Sequence, residues 1–451
     1  MSTWRSLPAI AQDLLVLGGW LVPPALALVL GLRRYRTGAL VGALLRRHAG
    51  VALIFVVLIA VATGLGLALG VQERGIRAGS AGAADRFDLL ITAPGNDTGA
   101  LLAAVYLQPA SLPLLPGELF QRISDDPAVA MAAPLAFGDS VGPAPMVGTT
   151  AEFVRHLTGI EPADRTSDQP SPGDASPLEE GRLFQGVHEG VVGAAVTLAL
   201  GQRVSPSHGV GDAVGGAHDH LKIELVGRLP RTGTPWDDAV IVPVETVWLA
   251  HGLGDGHAAG ANGAIGPPFD PVRMPGVPAV VVRAESLGAH YTLRERYTNA
   301  RSMAFFPAEV LTRLYRVLGD VRRLMTLLSG ITQVLVVIAI GVALSILLRG
   351  FSRRFAMLRA LGAPRRFVFA LVWCYATILL LAGALAGIGV GVLSARWLAE
   401  RIAATSGVHV PVSLSLSDLL TPAMLAGLSV LLATLPAFRL ARRPIVADLR
   451  G

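Results

Sequence analysis

Apolar and polar positions alternate along this chain on two scales. On the long scale, four runs are apolar throughout: Val51–Gly70, Ser329–Leu348, Phe367–Ser394 and Leu419–Phe438. Each can cross the ~30 Å hydrocarbon core of a bilayer as a helix, and none contains a charged residue. Their glycines and alanines suit close contact between helices in lipid. A fifth run, Leu14–Leu32, is just long enough but carries Pro23 and Pro24. It reads as a kinked extra span, with a signal peptide or a re-entrant segment as the alternatives.

On the short scale, the stretch between Gly70 and Ser329 has a different texture. "AVIVPV" (Ala239–Val244), "AVVVRA" (Ala279–Ala284) and "KIELVGRL" (Lys222–Leu229) read as strands. "PGELFQRISDD" and "TTAEFVRHLTG" place apolar residues at helical spacing. Glu161–Gly181 and His251–Pro271 are polar, proline- or glycine-rich loops. Ala308–Leu328 runs without a breaker into the next apolar run and reads as a helical stem. The fold class expected is an α-helical transmembrane bundle with four core spans and an extra N-terminal span. A large α+β extracytoplasmic domain sits between core spans 1 and 2. In order, the segments are 1–49, core span 50–71, the outer domain 72–323, core span 324–348, a cytoplasmic helix 349–366, core span 367–394, a short outer loop 395–418, core span 419–438 and a tail 439–451.

Composition agrees with a membrane protein. The 451 residues are 52% hydrophobic and 16% charged, below the roughly 25% charged that soluble proteins carry. The net charge of +6 does not point to nucleic acid, because it is segregated. Only Asp13, Glu400, Asp418 and Asp448 lie outside the acid-rich region from Glu73 to Asp320. Arginines cluster without acids at Arg33–Arg47 and Arg349–Arg366, and the tail holds Arg439, Arg442, Arg443 and Arg450 against Asp448 alone. Basic loops stay cytoplasmic, so these three segments face inward and the acidic domain faces outward.

The candidate chemistry is sparse. A P-loop needs a lysine after its glycines, and the single lysine, Lys222, follows "DHL". ATP hydrolysis therefore belongs to another polypeptide, and no catalytic constellation stands out. The charge-free spans argue against a proton-coupled transporter. Cys374 excludes an intramolecular disulfide and reads as a core residue. "SHGVGDAVGGAHDHLKIE" holds His208, His218 and His220 with Asp212 and Asp219 among them, and His251 and His257 stand in a second loop. Such a set could bind zinc; the other reading is a solvated turn before a strand.

"RGFSRRFAMLRALGAPRR" (Arg349–Arg366) places six arginines between two apolar runs. Phe351, Phe355 and Leu358 share one helical face, and Gly362 and Pro364 stop the helix. Anchoring to anionic lipid and docking into a cytosolic partner both fit. The segment resembles the signature of the permease family that includes MacB, the lipoprotein-releasing LolC and LolE subunits and FtsX. Its ending "LPAFRLARRPIVADLRG" is similar to that family's, and "DRFDLLITAPG", "PLAFGD" and "GVVGAAVTLALG" are similar to its MacB-like periplasmic core. Arg354 stands where the family commonly has glutamate, and the Leu14–Leu32 run is extra.

The resemblance implies a permease subunit of a mechanotransmission-type ABC transporter in a bacterial inner membrane, not itself an enzyme. It implies a homodimer or paired permease bound to a cytoplasmic ABC ATPase that uses the ATP, and a periplasmic adaptor or lipoprotein as a further partner. Phe351, Arg353, Arg354, Phe355, Leu358, Arg359, Leu361 and Gly362 are the ATPase-coupling residues this implies. The rival readings are an FtsX-like regulator of an envelope partner and a zinc-linked envelope system.

Overall fold

The computed structural model describes residues 8–159, 178–209, 216, 218, 220–261, 263–316, 350 and 352–442, with isolated positions between 327 and 345. The chain divides into two units, one of residues 1–75, 319–401 and 411–451, the other of 76–318 with 402–410.

The first unit is helical. Its described helices include Ala9–Tyr35, Gly38–Arg47, Ser352–Ala360 and Leu420–Arg442, with most of Ala49–Ala84 and Arg365–Ser406. Among the described residues, four helices are long and apolar enough to cross a membrane: Ile10–Tyr35, Ala49–Ala84, Arg365–Ala404 and Leu416–Arg439. The expected span Ser329–Leu348 lies largely outside the described residues; the described positions between 327 and 345 are helical. Pro23 and Pro24 both sit inside the Ala9–Tyr35 helix, which continues through them.

Two helices run past the boundaries expected of them. The one expected to end near residue 71 continues to Ala84, and the one expected to end at Ser394 continues to Ser406. Charge ends an apolar run without ending a helix. The extension "ARWLAERIAA" is built of strong helix formers, and Gly407, at φ 65°, is the first residue that stops it. Much of the expected 395–418 loop is therefore helix.

Small residues set a close helix crossing in this unit. Gly383, Gly387 and Gly391 repeat every fourth residue and meet Ile59, Ala60, Thr63 and Gly64. A Cβ built on Gly387 would lie 2.7 Å from Thr63 Cβ and 2.9 Å from the Ala60 carbonyl oxygen. With lipid as apolar as the side chains, this closeness holds the pair through van der Waals contact. The Thr63 hydroxyl, buried here, donates to the Ile59 carbonyl at 2.7 Å.

The second unit is an α/β domain around an 11-stranded mixed sheet. Its strands are β1 (Leu89–Thr92), β2 (Val129–Val141), β3 (Ala144–Thr149), β4 (Glu180–Gly181), β5 (Glu189–Val192), β6 (Arg203–Val204), β7 (Ser207–His208), β8 (Ile223–Arg228), β9 (Val240–Pro243), β10 (Ala279–Ala284) and β11 (Met303–Phe305). The order is β11-β1-β10-β2-β3-β9-β5-β8-β4, with β6 on β8 and β7 on β2. Among the described strands, only β3–β9 and β5–β8 pair in parallel.

The central strands read as unbroken apolar runs because both faces are covered. Leu89, Ile91, Val240, Val242, Val280 and Val282 enter one core with Phe120, Trp248 and Leu293 from helices Gly117–Ser124, Val244–Ala250 and Leu287–Arg296. Leu90, Ile241, Ala279 and Val281 enter the other with Leu101, Phe153 and Val310. The two helices foreseen at 117 and 151 are present, the second capped by Thr150, whose Oγ1 accepts from Phe153 N at 3.3 Å.

Outside the cores, Arg182 forks onto Glu189 at 2.7 and 2.5 Å. That guanidinium holds the Glu189 carboxyl down from 4.5 to about 2. The depressed value means the pair's stabilisation is complete above about pH 4.5 and lost as the pH falls toward 2. Glu189→Gln should flatten the loss of thermal midpoint across that window, measured by melting at stepped pH.

Candidate functional site

Four titratable side chains from separate parts of the chain meet at one place in the α/β domain. One ligand atom each from Asp139, His208, His218 and His251 lies within 4.8 Å of all the others. Asp139 comes from β2, where the register slips between Phe137 and Asp139 and Gly138 adopts φ 138°. A bulge of this kind re-aims the next side chain. His208 is the direct cross-strand partner of Asp139 in the β2–β7 pair, and Gly209 N donates to the Gly138 carbonyl at 2.9 Å. His218 is held by its own N–H on the Pro206 carbonyl at 2.8 Å. His251 follows helix Val244–Ala250 as its C-terminal cap.

The carboxylate is at the centre. Asp139 Oδ1 lies 3.3 Å from His208 Nδ1 and 3.7 Å from His218 Nε2, and Oδ2 lies 3.1 Å from His251 Nε2. The His208 and His218 rings meet edge to face at 4.2 Å, and the His251 ring lies 4.9 Å from His208. Asp139 is 1% exposed, whereas the His208 and His251 side chains are 50% and 34% exposed. Burial pushes the His218 imidazole below its usual range, with the neighbouring imidazoles adding to this and Asp139 opposing it. The hydrogen bond to Asp139 pulls His251 above its usual range. A cleft of about 380 Å³, lined by Leu107, Gln108, Ser111, Phe137, Asp139 and Gly209, opens beside the cluster.

The structure thus brings together His208 and His218 of the expected trio and leaves His220 out. The His220 ring packs against His218 at 5.6 Å but is not one of the four. His257 is elsewhere, with Nε2 3.2 Å from the fully buried Glu245. Asp212 and Asp219 lie outside the described residues. Sequence reasoning missed Asp139, which is brought in by the β2–β7 pairing and the bulge at Gly138. Lys222, just before β8, is exposed and donates to Ser205 Oγ at 3.0 Å.

The basic segment forms the helix Ser352–Ala360 and then a turn, in which Gly362 adopts φ 98° and Ala363 N donates to the Leu358 carbonyl at 3.1 Å. Phe355 is buried in the core that includes Val368, Leu371 and Tyr375, with Leu358 packed against it. Phe355 therefore packs its own unit, and its burial removes it as a free docking anchor. Among the described residues of the segment, the large apolar side chains left exposed are Met357, 48%, and Leu361, 86%. Arg359 is half-buried. Phe351 lies outside the described residues, as do the side chains of Arg353 and Arg354.

Comparison with known proteins bears on the membrane part. Residues 326–445 match the family described as FtsX-like permease C-terminal. The chain is also similar to the periplasmic region of MacB from Actinobacillus actinomycetemcomitans, with 9% identity, a TM-score of 0.29, and coverage of 52% of this chain and 94% of that one. A second similar structure is the extracellular domain of the noncanonic ABC-type transporter YknZ from Gram-positive bacteria, at 14% identity, TM-score 0.26, covering 48% of this chain and 98% of that one. No curated protein matches the sequence. The C-terminal quarter is an FtsX-like permease domain, in line with the resemblance read from the arginine-rich signature.

Proposed function

We propose that this chain is the transmembrane subunit of a mechanotransmission-type ABC transporter. In this reading a separate cytoplasmic ATPase hydrolyses ATP, and the subunit converts that into movement of its periplasmic α/β domain for export or extraction of an envelope substrate. The observation that carries the reading is the family match over 326–445, because it contains both the basic helix and the apolar runs of the sequence on either side of it. Two further features support it. The sole lysine, Lys222, follows Leu221 and lacks the directly preceding glycine of a P-loop, so the nucleotide chemistry is assigned to the partner. The 36-residue helix Ala49–Ala84 is about 54 Å long against ~30 Å of hydrocarbon, so it outlasts the bilayer as one unbroken stalk.

Docking requires an exposed apolar anchor with a charged rim. Leu361 meets that requirement, held on the glycine turn beside Arg359, Arg365 and Arg366. The double variant Met357→Asp, Leu361→Asp should lose the ATPase during co-purification from membranes, a weakening of at least about 2 kcal/mol or about 30-fold. Its thermal midpoint should stay at the wild-type value, since neither side chain is in the core. Full retention of the ATPase by this variant would overturn the coupling assignment.

A further inference from the structure

We propose that Asp139, His208, His218 and His251 form a reversible binding site for a first-row transition dication of the zinc class. The proposal rests on the α/β domain alone and stands or falls separately from the permease reading.

Geometry comes first. Tetrahedral zinc with bonds of about 2.0–2.2 Å places its ligand atoms about 3.3–3.6 Å apart. Asp139 Oδ1 lies 3.3 and 3.7 Å from the His208 and His218 nitrogens, around that separation. Oδ2 lies 3.1 Å from His251, and one ligand atom from each of the four lies within 4.8 Å of the rest. A cation between the donors needs only side-chain adjustment, because the backbone is fixed by the β2–β7 pairing and by the His218 N–H bond to Pro206.

The competing account is an ordinary buried ion pair, and it leaves atoms unexplained. A single carboxylate can balance one imidazolium, while three imidazoles surround it. Charging all of them would bring like charges together with rings 4.2 to 5.4 Å apart. Among the described residues, Asp139 Oδ1 and His218 Nε2 are both buried without a hydrogen-bond partner. Buried polar atoms are rarely left so, and both belong to this cluster. A shared cation satisfies the two orphans together.

The donor set narrows the ion. Calcium and magnesium take oxygen ligands almost exclusively, and three of these four donors are imidazoles. Imidazole suits zinc and its first-row neighbours. No thiolate is present, because the one cysteine, Cys374, belongs to the helical unit.

Reversibility follows from access. His208 and His251 face solvent in part, and the cleft reaches Asp139. Both cores of the sheet are complete without any of the four side chains. The domain therefore keeps its fold when the ion leaves, unlike a small zinc-folded module.

The test uses the full-length protein in detergent, stripped with chelator and titrated with Zn²⁺ against a chromophoric competitor. One zinc per chain should bind, in the micromolar range or tighter. The double variant His218→Ala, His251→Ala should lose at least about 100-fold in affinity, beyond the 10–100-fold that outer contacts of a metal site contribute. Asp139→Asn, which preserves shape, should weaken binding as well, and His220→Ala should leave it unchanged. Co²⁺ in place of zinc should give the intense visible bands of a tetrahedral site. The absence of stoichiometric zinc on wild type would overturn the proposal, as would unchanged affinity in the double variant. A weak octahedral cobalt spectrum would overturn the four-ligand geometry.

Discussion

Gly387→Leu should leave little properly assembled protein in the membrane, with early melting and a broadened elution profile for what is recovered. A β-carbon at this site would already sit 2.9 Å from the Ala60 carbonyl oxygen and 3.2 Å from Ala60 Cα. These are backbone atoms, so no side chain can swing aside. Leucine adds three more carbons to the same crowded crossing. Overpacking of a well-fitted interior commonly costs 1–3 kcal/mol, and a clash against helix backbone should exceed about 3 kcal/mol. Gly389 provides the control, two residues away on the same helix, where an added Cβ meets nothing within 4 Å. Gly389→Leu should be recovered like wild type. Equal behaviour of the two variants in yield and thermal midpoint would remove the role assigned to the crossing.

Trp236→Ala should be the most damaging single truncation in the α/β domain. The indole is 1% exposed and packs against Phe87 at 5.9 Å and Phe153 at 5.5 Å, which are themselves 5.6 Å apart. It is held in a short turn, Pro235–Asp238, capped by Thr234. Asp237 ties the same turn down, accepting from Thr232 N and Gly233 N, each at 2.8 Å. Emptying this three-ring contact should cost about 3–5 kcal/mol, which for a domain of this size lowers the midpoint by about 10 °C. Trp236→Phe tests the reason. The indole N–H is buried without a partner among the described residues, so phenylalanine removes an unsatisfied donor while keeping most of the packing. It should melt within a few degrees of wild type. A Phe variant as unstable as the Ala variant would mean that shape alone governs the site.

The fold was legible wherever burial is symmetric. "AVVVRA" and "AVIVPV" announce strands because β10 and β9 are covered on both faces, and the structure places them at Ala279–Ala284 and Val240–Pro243. Helix limits were less legible, since Arg396, Glu400 and Arg401 mark where an apolar run ends and leave helical hydrogen bonding intact. On the basic helix, spacing grouped Phe355 with Leu358 correctly but could not say which side is covered. The core that includes Val368 and Leu371 covers Phe355, leaving Leu361 outermost. At the histidine cluster, His208 and His218 were visible as near neighbours in sequence. Asp139 and His251 are 112 residues apart, and their meeting depends on a bulge and on a helix end that no local pattern encodes.

Lys222 gives this molecule an unusual analytical handle. It is the only ε-amine among 451 residues, and it projects from the surface beside Ser205. A bilayer-impermeant acylating reagent therefore has one side chain to modify. Peptide mapping locates the tag at Lys222 and tells it apart from the reactive N-terminal amine. Tagging at Lys222 in spheroplasts reports the sheet domain on the outer side, whereas tagging confined to inverted vesicles reports the opposite. The native sequence carries its own sidedness marker.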